Sequence, residues 1–382
     1  MRTAIVSSSY NEFGGTEKVD NIFGKLYPDA DLFLLFGDSR FIPEQLRGRV
    51  TSYSALQKLP GITKAYRGLM PIYPYAVGGL DLRGYDLVIS SDHGVMKGVL
   101  TDDDCVHICY CHTPWRQIWD LYWPSLAMVP RCLHPVYALT AQYLREWDFS
   151  AAQRVDRFCA NSRHIARRIQ KHYRRGALVI YPPVDTSRGY IARSSGGYYL
   201  SVGRLSPTKR TDLLVDACTR LGRKLIVCGT GREAKRLKGI AGPTIEFVGG
   251  ISDQQLAQIY ANCRALLFAA YEDFGIAVVE AQSYGRPVIA FGKGGATETL
   301  RTGFSDAGEN TGIIFPEQTT EAVIDAIRRF EQSEWQFQPS RIQENSRLFD
   351  TAVFESRFRA FVDDAMSSSR SGPIEDAVFH DF

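Results

Sequence analysis

Residues 181–202 read Tyr181-Pro-Pro-Val-Asp-Thr-Ser-Arg-Gly-Tyr-Ile-Ala-Arg-Ser-Ser-Gly-Gly-Tyr-Tyr-Leu-Ser-Val202, and they decide how the chain is divided. Pro182 and Pro183 each lack a backbone donor and stop regular structure. Ser194-Ser195-Gly196-Gly197 then has the composition of a linker. Directly after it, Tyr198 to Val202 reads as a buried strand. The same grammar runs on both sides of this break. Before it, strands are expected at Thr3 to Ser9, Asp31 to Phe36, Leu87 to Ser91, Val106 to Tyr110 and Arg157 to Ala160. After it they are expected at Lys224 to Cys228, Ile245 to Val248, Ala265 to Phe268 and Pro287 to Ala290, with a helix at Thr211 to Leu221. Strands alternating with helices imply an α/β fold with parallel sheets and right-handed crossovers. Two successive Rossmann-like units fit this pattern better than one large sheet.

The 382 residues suffice for two domains, and 45% of them are hydrophobic, enough for sizeable cores. A formal net charge of +3 argues against bulk nucleic-acid binding. No apolar run reaches membrane-spanning length. Met1 to Tyr10 reads as a first strand, not a signal peptide, so a cytoplasmic protein is expected, with a peripheral place at the inner face of the cell membrane left open. Eight cysteines form no C-x-x-C pair; Cys109 and Cys111 are two apart. They read as reduced core residues.

The strongest chemical signal is Tyr271-Glu-Asp-Phe-Gly-Ile-Ala-Val-Val-Glu280, after the strand ending near Phe268. Phe274, Gly275 and Ile276 present backbone N–H groups at a helix start, where the helix dipole favours a phosphate. Gly275 lets a ligand approach the backbone. Glu272 precedes the turn and Glu280 lies two turns into the helix, so the two acids reach different parts of one extended ligand. Ser201-Val-Gly-Arg-Leu-Ser-Pro-Thr-Lys-Arg210 also follows a strand and precedes a helix. Two cations there, Arg204 and Lys209, would be unfavourable at a helix start unless they neutralise an anion such as a departing diphosphate.

In the first half, Gly15 follows a strand within Asn11 to Thr16 and would let backbone approach phosphates. His112, in Ile108-Cys-Tyr-Cys-His-Thr-Pro-Trp-Arg116, stands just past a strand end. Ligands of open α/β sheets bind outside the carboxyl ends of strands. Thr101-Asp-Asp-Asp104 contains D-x-D, which reads as a solvated acidic turn more readily than as a metal site.

These blocks together resemble the family 4 glycosyltransferases, retaining enzymes of the GT-B fold. Glu272 to Glu280 resembles the family's E-x7-E, Gly203 to Lys209 its G-R-L-x-x-x-K, and Tyr110 to Pro114 its Y-x-H-x-P. The resemblance runs from Gly14 to about Phe361. It implies two Rossmann-like domains facing across a cleft: residues 1–185 on the acceptor side, 186–346 binding the donor, and 347–382 a helix returning to the first domain plus a tail. It implies that Glu272 binds hydroxyls of the donor sugar, Glu280 the ribose, the Val248 backbone the base, and His112 the sugar. Arg163 would reach a phosphate, and Gly294, Gly295 and Glu298 match the family too. Gly229-Thr-Gly231 is followed by Arg232 where the family often has proline, which puts a donor contact from that loop in doubt. The catalytic set is then His112, Glu272, Arg204 and Lys209, with no cofactor and no metal required.

The runs Tyr110 to Tyr122 and Glu272 to Pro287 look like bacterial polysaccharide mannosyltransferases. GDP-mannose is the first reading of the donor and a UDP-hexose its competitor. A nucleotide-sugar epimerase and a non-catalytic nucleotide-sugar binder are the readings outside this class. The aromatic run Trp115 to Val129 and the basic amphipathic stretch Arg163 to Arg175 suggest docking on an anionic membrane and a lipid-linked or glycan acceptor. No nucleic-acid partner is expected.

Overall fold

The computed structural model describes residues 1–10, 14–62, 66–303 and 308–369. The chain forms two compact units, Met1–Pro183 with the stretch from Phe354 onward, and Val184–Val353. The sequence had placed these junctions after 185 and 346.

In the first unit, strands β1 (Thr3–Tyr10), β2 (Asp31–Gly37), β3 (Val50–Tyr53), β4 (Leu87–Asp92), β5 (Val106–Cys111), β6 (Arg157–Ala160) and β7 (Leu178–Val179) form one sheet in the order β3-β2-β1-β4-β5-β6-β7. Every pairing is parallel. Helices α1 (Gly15–Leu26), α2 (Tyr73–Gly78), α3 (Tyr122–Ala127), α4 (His134–Gln153) and α5 (Arg163–Tyr173) connect them. β1, β4 and β5 are buried almost throughout, as strands covered on both faces must be.

The second unit holds β8 (Tyr199–Val202), β9 (Leu225–Cys228), β10 (Ile245–Gly249), β11 (Ala265–Phe268), β12 (Val288–Phe291) and β13 (Gly312–Phe315) in the order β10-β9-β8-β11-β12-β13, again all parallel. Its helices are α6 (Thr211–Leu221), α7 (Ala234–Ile240), α8 (Asp253–Asn262), α9 (Ile276–Ser283), α10 (Ala296–Thr299), α11 (Thr320–Ser333) and α12 (Pro339–Ser346). The last helix, α13 (Thr351–Ser369), belongs with the first unit from Phe354. Phe354 and Phe358 pack on Phe23 of α1, with ring centroids 6.0 and 4.6 Å apart, and on Tyr110 of β5. The first strand and the last described helix thus share one core.

In each sheet the chain order reverses beside the first strand, between β1 and β4 and between β8 and β11. Loops leaving the carboxyl ends of such a pair diverge to opposite faces and open a crevice. This topology places the candidate residues. A buried ion network braces the β4 end: Lys97 Nζ lies 2.5 Å from Asp148 and 3.3 Å from Asp92, all three side chains fully buried. Those carboxylates raise the Lys97 pKa against the burial that would lower it.

Strands β3, β7 and β13 escaped the sequence reading. Seven of the eight cysteines are buried and free, but Cys132 is exposed, so it is not a core residue. The returning helix, expected from residue 347 onward, begins at Thr351. Of the glycine loop Asn11 to Thr16, residues 11–13 lie outside the described residues, as do residues 370–382 of the tail.

Candidate active site

In the second unit, β8 and β11 are neighbours at the order reversal, and the two strongest sequence blocks are the loops that leave them. After β8, Gly203 N donates to Cys228 O at 3.0 Å and Leu205 N to Thr230 O at 2.8 Å, which lays this loop against the one leaving β9. Gly229 and Gly231 allow that approach. A Cβ on either would run into the carbonyl oxygen of Gly203 or Leu205, and both have positive φ. The G-x-G doublet therefore has a packing role. Arg204 is exposed on this loop and Lys209 is half-buried. Arg210 sits in the left-handed region at φ 50 and starts α6, an uncommon conformation for a side-chain-bearing residue.

The loop after β11 turns through Glu272, Asp273 and Phe274 into α9, with Gly275 at φ 95 as the N-cap. Gly295 N donates to Glu272 O at 2.8 Å, and a Cβ on Gly294 or Gly295 would strike the carbonyl of Glu272 or Asp273. Phe274 is buried against Phe349, at 5.7 Å between centroids. The acid loop is thus clamped from behind while its N–H edge forms the helix start. The Lys209 ammonium forms an ion pair with the Glu272 carboxylate. The sequence assigns these two residues to different parts of one donor, sugar hydroxyls and diphosphate, and the structure pairs them directly.

Glu280, on the second turn of α9, accepts from the Tyr260 hydroxyl at 3.0 Å. Tyr260 is buried and stacks on Tyr284 with an interplanar angle of 5°. Burial, then the Glu280 charge, push the phenol well above its ordinary range, so it stays a donor. Tyr260 carries no signal in the sequence, because its place on α8 lies outside every motif. The β10–β9 register shifts between Phe247 and Gly249, so the Val248 backbone stands at a bulge outside the regular ladder.

In the first unit, His112 follows β5. Its N donates to Asp92 O at 2.7 Å, its carbonyl accepts from Asn161 Nδ2 at 2.9 Å, and its Nε2 is 2.9 Å from Ser91 Oγ. The ring meets Tyr110 edge-on at 5.1 Å. Burial, then the neighbouring His93, lower its pKa to about 3, with Asp92 opposing. The imidazole is neutral at physiological pH. Behind Ser91, Asp20 of α1 is buried and accepts from Ser7 Oγ at 2.8 Å and from the Tyr10 hydroxyl at 2.7 Å. Burial raises its carboxyl to about 6, while bonds from Ser91, Tyr10 and Ser7 hold it down.

Gly15 is the first residue of α1, after the N-cap Gly14. Arg163 opens α5, whose cap is Ser162 accepting from Ile165 N at 3.1 Å. Asp102 Oδ2 accepts from Gly84 N at 2.8 Å, a turn-stabilising bond. Among the described residues no group of three or more His, Cys, Asp or Glu is arranged to hold a metal ion. The aromatic run divides: Trp115 is buried and stacked on Tyr73, and Trp119 donates to the buried Asp148 at 2.8 Å. Those two serve the core, while Trp123 is exposed. No described helix is long and apolar enough to cross a membrane.

Known proteins resemble this chain in sequence and in fold. The model of glycosyl transferases group 1 matches residues 189–349, and that of glycosyltransferase family 4 matches residues 35–188. A D-inositol 3-phosphate glycosyltransferase of Mycobacteroides abscessus is 34% identical over 138 residues, 33% of this chain and 30% of that protein. A GDP-mannose-dependent alpha-mannosyltransferase of Corynebacterium glutamicum is 32% identical over 103 residues, 27% of this chain and 25% of that protein. The matched stretches span well under half the length of these curated relatives. Anabaena Alr3699/HepE, crystallised in complex with UDP, superposes with a TM-score of 0.70 over 95% of this chain and 100% of its own, at 16% identity. The chain belongs to the family 4 glycosyltransferases and has their GT-B fold.

Proposed function

We propose that the protein is a retaining hexosyltransferase that moves a sugar from a nucleotide donor to a lipid-linked or glycan acceptor in bacterial surface polysaccharide synthesis. The observation that carries this reading is the convergence at one sheet crevice. Lys209, Glu272, Glu280 and the N–H edge of α9 all lie at loops from β8 and β11 or on the helix that follows. A nucleoside diphosphate sugar needs that set: N–H groups and cations for phosphates, and acids for hydroxyls.

In this reading Glu280 binds the ribose and Glu272 the sugar hydroxyls. The N–H groups of Phe274, Gly275 and Ile276 hold the distal phosphate, and the Val248 backbone meets the base. Arg204 and Lys209 stabilise the charge that grows on the diphosphate as the anomeric C–O bond breaks. The leaving phosphate oxygen takes the proton of the acceptor hydroxyl as the new C–O bond forms on the same face. His112, neutral, contacts the transferred sugar, and the Gly15 backbone the donor phosphates. These cations supply the positive charge, so no cofactor or metal is needed and activity should survive a chelator.

GDP-mannose is the first choice of donor, and the Corynebacterium relative's name supports it. A UDP-hexose is the competitor. A panel of nucleotide sugars, read by melting shift, tests the donor. Release of free nucleotide only with an acceptor present supports transfer. Interconversion of donor sugars without acceptor would make the protein an epimerase, and binding without turnover a non-catalytic binder.

A further inference from the structure

Residues 121–144 contain no acid and a single Lys or Arg, Arg131. They form α3, a turn and the first half of α4. The frame is fixed from within: His134 Nε2 lies 3.0 Å from Val129 O, the Tyr137 hydroxyl donates to Gln117 O at 3.0 Å, and the Arg145 guanidinium sits 4.5 Å from the Tyr122 ring centroid. On this frame Trp123 is 73% exposed, Met128 71%, Leu139 74% and Val136 59%. Val136, Leu139 and Tyr143 are three and four residues apart, so they share one face of α4. The opposite face buries Ala141, Leu144 and Asp148. The helix thus buries one side and, among the described residues, leaves the apolar outer side exposed. Surfaces of this kind mark an interaction site.

The charge around it selects the occupant. Residues 121–175 carry ten Lys and Arg against three acids, in a chain whose totals are 45 and 42, so the remainder is net acidic. Of those three acids, Asp148 is buried against Lys97, and Asp156 accepts from His107 N. Helix α5 exposes Arg163, Arg167 and Lys171. It is tied to α4 by Tyr173 donating to Asp148 at 2.9 Å and Gln153 donating to Tyr173 O at 3.0 Å. A second copy would set like charge against like. A nucleic acid would match the charge and leave the apolar ridge in water. An anionic bilayer satisfies both features, because apolar side chains enter the acyl boundary while cations stay at the headgroups.

We propose that the α3–α4 ridge, centred on Trp123, Met128, Val136 and Leu139, inserts into the interface of an anionic lipid membrane. The site keeps Trp123 and Met128 of the Trp115 to Val129 run that the sequence suggested, extends to Val136 and Leu139 of α4, and excludes Trp115, which belongs to the core. The inference deepens the lipid-linked reading of the acceptor and rests on that reading for its purpose. None of its residues belongs to the proposed donor-binding set.

The test is cosedimentation of the full chain with vesicles of phosphatidylcholine alone or with phosphatidylglycerol, at low and moderate salt. Bromolipid quenching of tryptophan is read in parallel. Binding is expected only with the anionic lipid. The double variant Val136→Asp/Leu139→Asp should weaken it roughly tenfold or more. Arg167→Glu/Lys171→Glu should cost roughly fivefold per cation at low salt. Trp123→Phe should remove most of the quenching. Absence of binding to anionic vesicles, or equal binding by the ridge variant, overturns the proposal. So does a concentration-dependent dimer that the ridge variant dissolves without any vesicle binding. Nucleotide-sugar melting shifts are followed in the same variants. Loss of donor binding in the parent protein with vesicle binding intact would sink the transferase reading and leave this surface standing.

Discussion

Lys209, on the loop leaving β8, and Glu272, on the loop leaving β11, form an ion pair across the order reversal of the second sheet. Their side chains are 31% and 21% exposed, so solvent screens the pair only in part. A diphosphate would have to share Lys209 with Glu272. A sugar hydroxyl offered to Glu272 restores what that acid gives up. With the proposed roles of Lys209 and Glu272, the pair is expected to favour the whole donor over the bare nucleotide.

Opposite signs follow for two ligands of one variant. Glu272→Ala should bind the nucleoside diphosphate a few-fold more tightly, because a partly exposed pair is worth roughly 1 kcal/mol or less. The same variant should bind the nucleotide sugar about tenfold more weakly, since a hydrogen bond to a charged group is worth about 1.5–3 kcal/mol. Titration calorimetry with both ligands decides. A parallel loss for both would mean that the pair only holds the loop.

The clamp behind the acids gives a second expectation. Gly295→Ala places a methyl against the Asp273 carbonyl, and backbone cannot yield as a side-chain tip can. Overpacking of this kind costs about 1–3 kcal/mol. The melting temperature should fall and donor binding should fall with it. Gly239→Ala on α7 is the control: its Cβ would meet nothing within 4 Å, and helix propensity favours alanine. A Gly295→Ala protein as stable as this control, with donor binding intact, would refute the clamp.

Tyr260 orients Glu280 through one hydrogen bond. Tyr260→Phe keeps the ring stacked on Tyr284 and removes only the donor. A hydrogen bond to a charged group is worth about 1.5–3 kcal/mol, so the KM for donor should rise roughly tenfold or more while kcat stays near the parent value. Steady-state kinetics with varied donor checks it. A loss in kcat alone would place Glu280 away from the ribose.

Most of the architecture was legible because parallel strands buried on both faces are continuous apolar runs, as in Ala265 to Phe268. β3 and β7 escaped because they are short edge strands. Val50-Thr-Ser-Tyr53 shows no buried face, and Leu178–Val179 is two residues long. β13 escaped although Gly-Ile-Ile-Phe315 is apolar, since four residues cannot be told from a loop by periodicity. In the site, the acids and cations stood out because their spacing brackets a strand end and a helix start. Their partners did not. Tyr260 meets Glu280, and Asp20 lies behind Ser91 and His112, through tertiary packing that no local pattern encodes. The burial of Trp115 was hidden for the same reason: an aromatic run looks alike in a core and at a membrane interface.

Asp20 sets the last prediction. Burial raises its carboxyl from 3.8 to about 6, so the native state keeps a proton that the unfolded chain loses near pH 4. Between those two values the native state binds more protons, and stability falls as pH rises. The loss approaches about 3 kcal/mol above pH 6 at 1.36 kcal/mol per unit. His112 acts with the opposite sign: its pKa drops from 6.5 to about 3, so its contribution is lost as pH falls below 6.5. The two are separated by substitution. Asp20→Asn keeps an acceptor oxygen for Ser7 and Tyr10 and removes the titration. Its stability relative to the parent should therefore grow from pH 4 to pH 6 and stay level above. Urea unfolding of both proteins at pH 4.5, 6 and 7.5 reads that difference directly. A pH-independent difference would show that Asp20 is ionised in the native state throughout, with its charge met by the Ser7, Tyr10 and Ser91 hydroxyls.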